Sequence, residues 1–145
     1  MVPTLLGRIQ TRIFLLAVVG SLVTLVITPV LPLAGPFSAR YRTTFALLIA
    51  TMVVGVVWEL IYHFIMQFRW EKDWPTSFAL LNVINEGIVI YLLAKANLIP
   101  GVHGAPPLAA FLIDFILVWL AVWIVAIGPM RVPFIRWRFR GGRLI

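Results

Sequence analysis

The sequence predicts an all-α integral membrane protein: a four-transmembrane-helix bundle with short loops and both termini in the cytoplasm. Three observations carry that prediction. Apolar residues make up 62% of the 145 residues and the mean hydropathy is +1.04, far above the soluble range. One small core cannot hide that much apolar surface, so lipid is the solvent the chain needs. Four apolar runs each reach the roughly 20 residues that cross a bilayer. Finally, the basic residues divide unequally between the two sides those runs define.

The first run covers Ile13–Leu33, with Pro29 and Pro32 set to bend its end. Its length exceeds the apolar stretch of a signal peptide, so a retained span is expected. The second covers Phe45–Phe68, the third Ser77–Leu98 and the fourth Leu108–Met130. Pro106 and Pro107 stand where the fourth helix can begin without losing a needed donor. The connections leave no room for a soluble domain, and residues 1–145 read as one transmembrane domain.

Nine basic residues fall on the side that holds both termini: Arg8, Arg12, Arg69, Lys72, Arg131, Arg136, Arg138, Arg140 and Arg143. Three fall opposite: Arg40, Arg42 and Lys95. The positive-inside rule then puts both termini in the cytoplasm. The codon bias implied by ten arginines against two lysines points to a bacterial cytoplasmic membrane. Net charge +7 invites a nucleic-acid reading, but the tail arginines Arg136, Arg138, Arg140 and Arg143 directly follow a span. They alternate with Phe134, Ile135, Trp137 and Phe139. That pattern suits residues 131–145 lying on anionic lipid headgroups, and no nucleic-acid partner is expected.

In the first span Ala17, Gly20, Ser21, Thr24 and Thr28 fall on one side, a spacing suited to close helix packing. In the fourth, Trp119 and Trp123 lie roughly opposite Ala110, Asp114 and Ala121, which predicts a tryptophan face toward lipid or another subunit. Trp70 and Trp74 suit an interfacial belt.

Chemistry concentrates in the second and third spans. Gly55, Glu59, His63 and Met66 share one stripe, and Asn82, Asn85 and Glu86 share one arc. At 1.5 Å per residue Glu59 lies about 12 Å from Gln67 and Glu86 about 13 Å from Ser77, so the two carboxylates meet at nearly one depth. Asp114, a second intramembrane acid, enters from the other side, about 9 Å below Leu108. With the first span starting at Ile13, no lysine or arginine within a span is available to pair with these acids. The cluster is then protonated, bridged by His63, hydrated, bound to a cation, or paired with a partner's basic group. The blander reading makes it hydrogen-bonding glue across a hairpin.

Glu59, His63 and Glu86 form a weak metal set, since no second Glu-x-x-His accompanies them. Neither a metal nor another cofactor is expected. Haem would need two axial histidines, and the second histidine, His103, lies in an outer loop. There is no cysteine, no nucleophile elbow, no metalloprotease motif, no P-loop and no dinucleotide fingerprint. No catalytic residue is therefore assigned. The leading expectation is a non-enzymatic accessory or assembly subunit of a larger membrane complex, of a transport or respiratory type. The alternatives are a small proton- or cation-coupled carrier using the Glu59/Glu86 pair as an oligomer and, behind it, a quinone- or haem-binding anchor.

Overall fold

The computed structural model describes residues 4–68, 76–139 and 141–145, and for 76–81, 136 and 138 the backbone alone. The regular elements among the described residues are all helical, with four helical rods arranged as an α-helical membrane bundle. The first rod is Leu5–Val30, made of α1 (Leu5–Leu15), a π-helical turn (Leu16–Gly20), α2 (Ser21–Ile27) and a 3-10 turn (Thr28–Val30). The others are α3 (Phe37–Met66), α4 (Thr76–Lys95) and α5 (Leu108–Ile127), the last continued by a 3-10 turn at Pro129–Arg131. A short α6 (Ile135–Phe139) lies in the tail. Three rods, Leu5–Val30, Phe37–Met66 and Leu108–Arg131, are long and apolar enough to cross a membrane. The 20-residue α4 has the length of a span.

The largest departure from the sequence expectation is where the first rod starts. It begins at Leu5 rather than Ile13, because Thr4 caps it with its hydroxyl accepting from Gly7 N at 3.2 Å. Arg8 and Arg12 therefore sit inside the helix, not in front of it. The expected proline bend is also relocated. The rod changes its winding at Leu16–Gly20 through a π turn, and Pro29 lies within the closing 3-10 turn. Extending the first rod and α3 outward at their N-terminal ends corrects the boundaries; α3 starts at Phe37, just after Pro36, instead of Phe45.

An apolar core of Ala46, Leu47, Ile90, Ala94, Ile99, Val102 and Phe111 fills the end of the bundle near the 96–107 loop. Leu16, Leu48 and Val118 form a smaller core further in. Of the predicted packing seam, Gly20, Thr24 and Thr28 are buried, Ser21 is half-buried and Ala17 is exposed. Thr28 Oγ1 lies 2.6 Å from Thr24 O and 2.9 Å from Thr44 Oγ1. Its hydroxyl is thus satisfied inside the bundle, as lipid requires.

The two chain ends meet. Thr4 N donates to Gly141 O at 2.8 Å, and Thr4 Oγ1 and Gly141 O stand 3.2 Å apart. Trp137 Nε1 donates to Thr11 Oγ1 at 2.6 Å, and Leu144 N donates to Gln10 Oε1 at 3.1 Å. Gly141 and Gly142 adopt φ of 62° and 83°, backbone that glycine reaches without a Cβ penalty. The tail thus turns back over α1 instead of running freely along a surface.

Candidate functional site: an intramembrane charged cavity

Two of the three acids expected to lack an internal partner, Glu59 and Glu86, have arginine partners. Arg12 Nη2 donates to both carboxylate oxygens of Glu86. Arg12 Nη1 lies 3.5 Å from Glu59 Oε1, and Arg8 Nε lies 3.4 Å from Glu59 Oε2. The four groups form one chain, Arg8–Glu59–Arg12–Glu86, across α1, α3 and α4. This overturns the expectation that no arginine within a span could meet them. The cause is the helix start: Thr4 capping carries the two arginines, one turn apart, into the bundle. Gly55 makes the approach possible, since a Cβ there would collide with the Arg12 guanidinium. It lies one turn from Glu59, so the guanidinium rests on bare backbone beside its carboxylate.

Burial makes this network energetically consequential. Glu86 is 2% exposed, and a buried carboxylate is tolerated where a cation and hydrogen bonds compensate it. Arg8 Nε is within charge-pairing range of Glu59 yet is not aligned for a hydrogen bond. That nitrogen, Arg8 Nη2 and Arg12 Nε have no hydrogen-bond acceptor among the described residues. Arg8 Nη1 contacts Met66 Sδ at 3.7 Å.

The network forms one wall of a cavity of about 320 Å³. The opposite wall is α5, whose Phe111, Phe115, Trp119 and Trp123 follow one another at four-residue steps. Phe111 and Phe115 stack at 5.4 Å, and Trp119 and Trp123 stack at 6.1 Å with planes 13° apart. From Phe111 to Ala126 this face runs roughly 22 Å along the helix axis. At the chain-terminal end Gly7, Trp137 and Gly142 line the cavity. At the deeper end stands Asp114, 6% exposed, whose Oδ1 has no hydrogen-bond partner among the described residues.

On α5, Trp119 and Trp123, expected to face lipid or another subunit, are half-buried and line this space, which Asp114 shares. The lining face of the helix is thus wider than its small residues alone. The predicted polar cluster is divided. Glu59, Asn82 and Glu86 line the cavity, Asn85 is exposed, and His63 is half-buried outside it with Nδ1 unpartnered. Among the described residues no three metal-ligating side chains converge. In the tail, Arg143 is exposed with Nε 3.4 Å from Thr4 Oγ1. The side chains of Arg136 and Arg138, and all of Arg140, Trp70 and Trp74, lie outside the described residues.

Sequence reasoning had named Glu59 and Glu86 but missed Arg8, Arg12 and the aromatic ladder as parts of one site. A signal existed for each. Thr4 followed by an apolar periodicity marks a helix start before Arg8, and the i, i+4, i+8, i+12 aromatics of α5 mark one face. No protein-family model, curated protein or solved structure matches the chain, so the site is interpreted from its own geometry.

Proposed function

We propose that the protein is a small proton- or cation-coupled membrane carrier of the bacterial cytoplasmic membrane, with both termini in the cytoplasm. The observation that carries this reading is the cavity within the bundle. It holds at its deeper end a buried carboxylate oxygen with no hydrogen-bond partner among the described residues, and a folded-back tail lines its other end. A structural bundle has no use for an unsatisfied acid facing an open space, because such a group is destabilising in hydrocarbon. A carrier needs one: a group that holds a proton or a charged cargo and releases it. The Arg8–Glu59–Arg12–Glu86 chain supplies a polar wall whose charges cancel, so the coupling role passes from the glutamates to Asp114.

The test is charge displacement on a solid-supported membrane. Proteoliposomes of the wild type should give a transient current after a pH step, and Asp114→Asn should not. A silent wild type defeats the carrier reading.

A second reading, an accessory or assembly subunit of a larger membrane complex, is favoured by the outer surface of the first rod. Leu22, Leu25, Val26 and Val30 are exposed there, and such a face packs against a neighbouring helix as readily as against lipid. Stoichiometric co-purification with larger subunits in mild detergent would favour it over the carrier.

A further inference from the structure

We infer that the cavity is a binding site for a planar, lipophilic organic cation, seated against α5, which carries both the aromatic ladder and the carboxylate of Asp114. The inference rests on the reading of the cavity as the functional site and names the class of molecule it accepts.

Charge counting comes first. Among the described residues five ionisable side chains border the space: Arg8, Arg12, Glu59, Glu86 and Asp114. The two arginines lie within 3.5 Å of the two glutamates or hydrogen-bond to them, so these four cancel in place. Asp114 is left over, and these five groups, when ionised, leave the cavity one uncompensated negative charge. A cationic ligand removes it. An anionic ligand meets arginines already neutralised and adds a second negative charge beside Asp114.

The wall chemistry then separates kinds of cation. An inorganic ion needs several oxygen ligands at short range, and among the described residues no such group of acids converges. Opposite the ion-pair wall stand aromatic faces instead, with Trp119 and Trp123 nearly parallel. Aromatic faces attract organic cations through the ring quadrupole, tryptophan most strongly, and the attraction grows where water is excluded. A volume of about 320 Å³ is within the range of small-molecule pockets, far larger than a proton or a metal ion requires. The Trp123 Nε1 and Arg8 Nη2 donors, both without acceptors, leave room for a polar substituent on the same ligand.

The experiment is equilibrium binding of ethidium to the full-length protein in mild detergent, read by tryptophan quenching. Phenanthrene, an uncharged fused-ring compound, serves as the control. The expected result is saturable ethidium binding that weakens at least tenfold in Asp114→Asn, is retained in Asp114→Glu, and weakens in Trp119→Leu. Phenanthrene binding should ignore the aspartate change. Equal binding of both compounds with no effect of Asp114→Asn would overturn the cationic ligand while leaving a cavity that binds apolar molecules. Tighter binding of 1-anilinonaphthalene-8-sulfonate than of ethidium, lost in Arg8→Gln, would also overturn it, in favour of an anion. Because this is a binding measurement, failure of the ligand class is separable from failure of the carrier reading, which the charge-displacement current tests.

Discussion

Arg12 and Glu86, 74 positions apart in the chain, meet inside the bundle with both carboxylate oxygens accepting from one guanidinium nitrogen. Each group makes the burial of the other tolerable, so they should act as a unit. Glu86→Gln alone leaves a guanidinium under-compensated and should cost about 3–5 kcal/mol of stability. Arg12→Gln should cost a similar amount. The double substitution should cost clearly less than the sum, which a double-mutant cycle on thermal unfolding in detergent measures. Additive losses would show that the two do not depend on each other.

Gly55 is predicted to resist substitution for a geometric reason. A Cβ there meets the Arg12 guanidinium, so Gly55→Ala should displace it and destabilise the protein by about 1–3 kcal/mol. Exposed Val57 on the same helix serves as the comparison, and Val57→Ala should shift the unfolding midpoint much less.

The tail should behave as part of the site. Trp137→Leu removes the 2.6 Å hydrogen bond to Thr11 and a wall of the cavity. It should raise proteolytic cleavage near Gly141 and loosen ligand binding while the spans remain inserted. Unchanged cleavage would make the contact dispensable.

Topology is checked with single cysteines. Ser38 and His103 are exposed at the end of the bundle away from the termini. Cysteines there should react with an impermeant thiol reagent added to intact cells, and one at Thr76 should not. The opposite pattern would place both termini outside.

The helical bundle was readable because apolar runs of span length have few other solutions. The depth match of Glu59 and Glu86 was readable because rise per residue is fixed. Their partners were not. Hydropathy alone starts the first span after Arg12, since charge lowers every window that contains it, whereas Thr4 capping and the glutamates of α3 and α4 draw both arginines inward. The tryptophans were misplaced for a related reason: in lipid, apolarity no longer distinguishes inside from outside, so composition cannot orient a helix whose every face is apolar.

The pairing of Arg12 with so distant a partner also imposes an order on biogenesis. When the first helix leaves the ribosome, neither Glu59 nor Glu86 has reached the membrane. Until they arrive, the lowest-energy position for its two guanidinium groups is the headgroup layer, reached by snorkelling. The nascent first helix therefore begins shallow and sinks once the later helices deliver the carboxylates. Gly141 docks on Thr4, 137 positions away, only after all four rods have been made. The part of the cavity wall that the tail supplies is thus the last to form, and the intermediates that precede Glu59 and Glu86 hold their arginines at the headgroup layer.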